Sequence, residues 1–201
     1  MERFQPIDAP AVPLSIANVN TDQIIPARFL RKPREPGLAQ YLFHDLRFDE
    51  GGVPRPDFVL NWPDYRGARI IVAERNFGCG SSREYAVVAL CDYGIRAVIA
   101  PSFGDIFFDN CFQNGLLPIV QPEPQTEALR ALLAASPGAH LRVDLAAQLV
   151  EAPDGARYAF DIDPFRKHCL LEGIDELAFT LGHSAEIAAF EERQAAATPW
   201  L

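Results

Sequence analysis

Between residues 68 and 120 the chain places three short apolar runs, ARIIVAE, RAVIAP and LLPIV, around two helix-length stretches that each end in a glycine, Gly94 and Gly115. No other feature limits the fold so tightly. Short, unalternating apolar runs read as strands covered on both faces, and this order and spacing give parallel β-α-β crossovers. The expected class is therefore α/β with a parallel β-α-β-α-β core. SREYAVVALCDY predicts the first helix and FGDIFFDNCFQN the second, with the two glycines as C′ residues. VPLSI at 12–16 predicts a further strand. Beyond Pro124 come a helix over TEALRALLAA, strand candidates HLRVDL, QLVEA and RYAFDI, and a helix over PFRKHCLLEG. One longer helix is expected across GIDELAFTLGHSAEIAAFEERQ. Residues 1–201 read as one domain, with 124–201 supplying its closing strands and helices.

Residues 31–56 behave differently. They hold four prolines (Pro33, Pro36, Pro54, Pro56) and the pair Gly51-Gly52 around a short amphipathic piece, GLAQYLFHDLRF. A long irregular segment in a compact domain is either functional, mobile or an ordered surface excursion.

Charge and cysteine usage exclude several function classes. Net charge is −9 with no dense Lys/Arg run, which argues against a nucleic-acid or anionic-membrane surface. No apolar run is long enough to span a bilayer, and MERFQPIDAP carries charges where a signal peptide needs an apolar stretch, so a cytoplasmic location is expected. Cys79, Cys91, Cys111 and Cys169 form no C-x-x-C pair, so no metal knuckle is expected within the chain. Cys91, Cys111 and Cys169 read as small buried hydrophobes. Cys79 stands apart because it lies in a glycine loop.

That loop is NFGCGSSREYA, residues 76–86. It follows a strand and opens a helix, where backbone N–H groups and the helix dipole favour an anion. Glycines such as Gly80 let backbone approach a ligand, and Arg83 adds a planar fork suited to a carboxylate. A plain structural reading competes: Ser81-Ser82-Arg83-Glu84 fits the capping box, with Ser81 as N-cap. The loop matches neither the P-loop, the dinucleotide fingerprint nor the nucleophile elbow. A cap needs one hydroxyl, which leaves Ser82 beside Arg83 without structural duty. The helix behind, Tyr85 to Cys91, is apolar all round, so either its own domain or another polypeptide must cover it.

These residues resemble a known family. NVNTDQIIPARFL, FGCGSSREYA, SFGDIFFDNCFQNGLLP and LLEGIDELAFTL are similar to blocks of the small subunits of isopropylmalate dehydratases, within the aconitase superfamily. The resemblance runs from about Val12 to Arg193. It implies a swivelling β/β/α three-layer domain, like the aconitase C-terminal domain, that completes an active site on a separate large subunit. That large subunit would carry a four-iron four-sulfur cluster, in a heterodimer or heterotetramer. The implied reaction interconverts 2-isopropylmalate and 3-isopropylmalate by dehydration and rehydration, a step of leucine biosynthesis. Carried over residue by residue, Ser81 is the implied base, and Ser82 and Arg83 the implied contacts to a substrate carboxylate. Arg28 is a further implied carboxylate contact, with Thr21, Asp22 and Gly80 supporting. The 28–56 segment would face substrate and partner, and 28–48 is expected to be mobile in the isolated chain, with Tyr41 and Phe43 waiting for both. Two departures stand out: Asn20 occupies a position where aspartate is expected, and Tyr85-Ala86-Val87 replaces His-Ala-Pro.

The chemistry agrees with the resemblance. Removing a proton α to a carboxylate needs a base and a way to hold the charge that develops. A serine hydroxyl acts as that base only where its anion is favoured and water is kept out. Loss of hydroxide needs a Lewis acid, and no ligand set for one is legible here, so a partner would supply it. Other readings stay open: a homoaconitase small subunit, a citraconate or methylmalate hydratase small subunit, or a non-catalytic anion-binding regulatory module.

Overall fold

The computed structural model describes residues 1–31 and 37–198. Its centre is a seven-stranded sheet of order β4-β3-β2-β1-β5-β6-β7. Strands β1 (Ile7–Leu14), β2 (Ile70–Ala73), β3 (Ala97–Ala100) and β4 (Leu117–Val120) run parallel, and β5 (His140–Asp144), β6 (Leu149–Glu151) and β7 (Arg157–Ala159) extend the sheet antiparallel. Eight helices decorate the described chain: α1 (Thr21–Ile24), α2 (His44–Arg47), α3 (Glu84–Tyr93), α4 (Asp105–Asn114), α5 (Glu123–Ala135), α6 (Pro164–Glu172), α7 (Glu176–Gly182) and α8 (Ser184–Ala197). The expected α/β class and the three core strands with their two crossover helices are all present, and Gly94 and Gly115 close α3 and α4 in left-handed conformation.

β1 is longer than VPLSI suggested, and begins earlier. Its first half pairs with β5, Ile7 opposite Val143, and its second half with β2, Ala11 opposite Ile70. Pro10 and Pro13 lie within β1, yet each half of the strand is laddered on one side. A proline whose missing N–H faces the other side removes no ladder bond.

Side chains alternate between two cores, as a period of two requires. Val12, Leu14, Ile71, Ala73, Val98 and Ala100 face α3, α4 and residues 38–65. Ile7, Ala9, Ala11, Ile70, Val72, Ala97 and Ile99 face α5, α6 and the antiparallel strands. Each fully buried Ile or Leu contributes about 1.5–3 kcal/mol to this arrangement.

One open alternative is decided and two expectations are corrected. First, α3 needs no foreign cover: Ala86, Val87, Ala89 and Leu90 are fully buried by α1, α4 and the turn at residues 38–43. The Leu38 N–H donating to the Asp92 carboxylate at 2.7 Å fastens that turn to α3. Second, the apolar groups of 37–48 are not all waiting for ligand. Leu38, Leu42 and Phe43 are fully buried, while Tyr41 is half-buried. The part of this segment at 32–36 lies outside the described residues. Third, the long final helix is two helices. Gly182 weakens helical propensity there, and the Ser184 hydroxyl donates to the Leu181 carbonyl, occupying it with a side chain. Neither α7 nor α8 buries a residue among those described.

Candidate functional site

The loops leaving β1, β2 and β3 meet at the carboxyl ends of the parallel strands, where ligands bind in open α/β sheets. Backbone hydrogen bonds stitch them together. Gly78 N–H donates to the Val19 carbonyl at 2.7 Å, and Phe77 N–H to that of Ser102 at 3.0 Å. Gly104 N–H donates to the Phe77 carbonyl and Thr21 N–H to the Cys79 carbonyl, both at 2.9 Å. Gly78 is indispensable here. Its φ is 74°, and a Cβ would fall 2.1 Å from Cγ of Phe107, inside the ring's own volume. Gly80, with φ of 96°, packs against Asn20 and Thr21.

Within this frame the structure brings most of the expected residues together. The Thr21 hydroxyl donates to the Ser81 carbonyl at 2.8 Å, which fixes the backbone carrying the candidate base. The Arg83 guanidinium, with a side chain only 15% exposed, pairs through Nη1 with Asp22, leaving its other donors for a ligand. Ser81 and Ser82 are both exposed, and neither hydroxyl has a hydrogen-bond partner among the described residues.

The capping reading of Ser81 is overturned. Helix α3 starts at Glu84 with Arg83 as its N-cap residue, and no side chain caps it. Thr21 holds Ser81 in the preceding loop, so the hydroxyl has no structural partner to lose. A complete capping box is present elsewhere. The Asn20 side chain accepts from Gln23 N–H at 2.8 Å while Gln23 Oε1 accepts from Asn20 N–H at 2.9 Å. The departure from aspartate at position 20 thus keeps the cap of α1, because either side chain accepts that bond. The spacing N-x-x-Q in NTDQ carried this signal in the sequence.

Arg28 belongs to a different group of contacts. Its Nη1 donates to Asp45 Oδ2 at 2.9 Å and its Nη2 to Asp45 Oδ1, a two-point pair. The guanidinium carbon lies 4.5 Å from the centroid of the Phe29 ring, which stacks on Tyr41 at 4.3 Å. His44 Nδ1 lies within 3.3 Å of the same Nη2. No direct contact joins this group to the Ser81 loop among the described residues. Asp45 and His44 were not legible as site residues, because nothing in their spacing marks them.

The cysteines do not make a metal site. Cys111 is fully buried, and burial raises its thiol well above the ordinary range; burial likewise pushes Cys91 up to about 11. Cys79 Sγ lies 3.4 Å from the Asn18 carbonyl. Among the described residues no three His, Cys, Asp or Glu side chains converge to hold an ion. No described helix is long and apolar enough to cross a membrane.

Comparison with known proteins agrees with this geometry. Residues 1–124 match the aconitase C-terminal domain family, 127–164 the LeuD_N family, and 178–201 the family of C-terminal domains of 3-isopropylmalate dehydratase small subunits. A 3-isopropylmalate dehydratase small subunit of Parvibaculum lavamentivorans is 51% identical over 201 residues, covering all of both chains. One from Rhodospirillum centenum is 54% identical over 200 residues, covering 100% of this chain and 98% of its own. The crystal structure of a 3-isopropylmalate dehydratase from Methanocaldococcus jannaschii superposes with a TM-score of 0.63 at 25% identity, covering 94% of this chain and 99% of the other. With three matched segments in order and about half of all residues shared with full-length relatives, this chain belongs to the family of 3-isopropylmalate dehydratase small subunits.

Proposed function

We propose that this chain is the small subunit of a heteromeric hydro-lyase that interconverts 2-isopropylmalate and 3-isopropylmalate in leucine biosynthesis, working in the cytoplasm. The observation that carries the reading is the surface at 80–83. Two serine hydroxyls without a hydrogen-bond partner among the described residues stand beside a guanidinium at the carboxyl ends of parallel strands, in a chain about 50% identical to such subunits over its whole length. In this reading Ser81 takes the proton α to the carboxylate, and Ser82 and Arg83 hold that carboxylate. Arg28 takes the second carboxylate of the substrate. Thr21, Asp22 and Gly80 fix the loop.

The exposure of Ser81 supports a partner. Water levels the basicity of a serine hydroxyl, so a second surface must close over the loop before proton transfer is feasible. The large subunit is that surface, and its four-iron four-sulfur cluster supplies the Lewis acid for hydroxide. The donors of this chain do not fit such a cluster, since among the described residues no three Cys, His, Asp or Glu side chains converge.

Reconstitution tests the reading. The chain alone is expected to turn over nothing, and activity should appear on titration with cluster-loaded large subunit, followed by absorbance of the unsaturated intermediate. In that complex Ser81→Ala should lower kcat by about 10²- to 10⁴-fold, the scale of general-base loss. Stability should move by less than about 0.5 kcal/mol, because Ser81 is exposed and caps nothing. Turnover by the isolated chain, or near-normal turnover by the variant complex, would sink the mechanism.

A further inference from the structure

The Arg28–Asp45 pair is out of proportion to any contribution it makes to stability. Both side chains are about half exposed, 53% and 54%, and exposed ion pairs contribute roughly 0–1 kcal/mol. Yet Arg28 is fixed from several directions at once. Asp45 takes both terminal nitrogens, Phe29 covers one face, and His44 stands against Nη2. Ring contacts brace the platform: Phe29 stacks on Tyr41, and His44 packs tilted on both Phe29 and Phe48. The fully buried Phe43, in left-handed conformation with φ of 50°, starts α2 and so places Asp45 in its first turn.

A guanidinium gripped in this way has one edge left. His44 Nδ1 also lies 3.2 Å from Asp45 Oδ1. Donating there, it leaves the outer N–H of Nη2 free, and with Nε, which has no acceptor among the described residues, that N–H forms a side-on fork matched to a carboxylate. We propose that Asp45 is a positioning residue, clamping the tip of Arg28 so that the Nε edge is presented in one orientation to a substrate carboxylate. This rests on the reading that Arg28 contacts substrate. The guanidinium hydrogen bond holds the Asp45 carboxyl below its usual range, so the clamp stays ionised at neutral pH. The arrangement sacrifices some net positive charge at Arg28 in exchange for a fixed direction, which suits recognition of a planar group better than a free cation would.

The test is a double-mutant cycle in the reconstituted heteromer, at saturating large subunit, reading KM and kcat on 3-isopropylmalate. Asp45→Asn should raise KM about ten-fold, mid-range for coupling between contacting groups, and leave kcat within about two-fold. Arg28→Ala should raise KM at least as much, and Asp45→Asn on top of Arg28→Ala should add nothing, because Asp45 acts only through Arg28. Asp45→Glu, which keeps the carboxylate, should recover part of the loss. If Arg28→Ala raises KM while Asp45→Asn leaves it unchanged, or if the two losses multiply, the clamp is wrong and the substrate role of Arg28 stands. If Arg28→Ala leaves KM unchanged, that substrate role falls, and the clamp with it.

Discussion

Arg83 ends a loop that backbone hydrogen bonds tie to two other strand ends, whereas Arg28 stands on a segment steered mainly by side chains. Around Arg83 the loop is held mainly by main chain, with Val19, Ser102, Phe77 and Cys79 lending carbonyls, and Thr21 on Ser81 and Asp22 on Arg83 add side-chain contacts. Around Arg28 the orientation depends on what Asp45, Phe29 and His44 are. One support is therefore robust to most substitutions, apart from those at Gly78, Thr21 and Asp22. The other can be retuned by single substitutions. A shared enzyme scaffold gains from that division if the proton-transfer loop must stay constant while the carboxylate contact is adjusted.

The comparison breaks most sharply at Gly78. Gly78→Ala forces a left-handed alanine and drives Cβ into Phe107, and should cost about 2–5 kcal/mol in chemical denaturation. A loss below about 1 kcal/mol would show that the loop can shift and that the backbone lock is not real. Next in size is Arg83→Lys, which keeps charge but loses the fork. Substrate affinity in the complex should fall by about 1.5–3 kcal/mol with little change in stability. An unchanged KM and kcat would remove Arg83 from the substrate. Smallest is Asn20→Ala, which opens the capping box of α1 and should lower stability by about 0.5–2 kcal/mol. Because α1 carries Thr21, its hydroxyl bond to Ser81 should loosen too, seen as faster hydrogen exchange at Thr21 and Gly78. Exchange unchanged at both would separate the cap from the loop.

The parallel half of the molecule was legible because local signals and global fold agree there. Apolar runs became β2, β3 and β4, and Gly94 and Gly115 stopped the helices where expected. Ser81, Ser82 and Arg83 stood out because a strand-to-helix junction dense in small residues has few purposes. Only part of β1 was legible, because a strand paired on alternate sides of its two halves tolerates prolines that a doubly paired strand would not. Asp45 was invisible because its significance lies in reaching Arg28 across an irregular segment, which no periodicity encodes. The cover of α3 was hidden for the same reason: residues 38–43 fold back on it through Leu38, Leu42 and Phe43, a long-range packing event.

The divided pairing of β1 also bears on how the molecule comes off the ribosome. Ala11–Leu14 can join the sheet once β2 has been made, but Ile7–Pro10 finds its partner only when β5 emerges far downstream. Until then the nascent chain carries a half-finished strand whose apolar Ile7 and Ala9 sit on an open edge, the kind of template on which chains pair with each other. Such delayed closure slows folding and lengthens exposure to misassembly. Any fragment that stops short of β5 keeps that edge permanently, so a protein product truncated after β4 is expected to accumulate as aggregate even though its parallel core is complete.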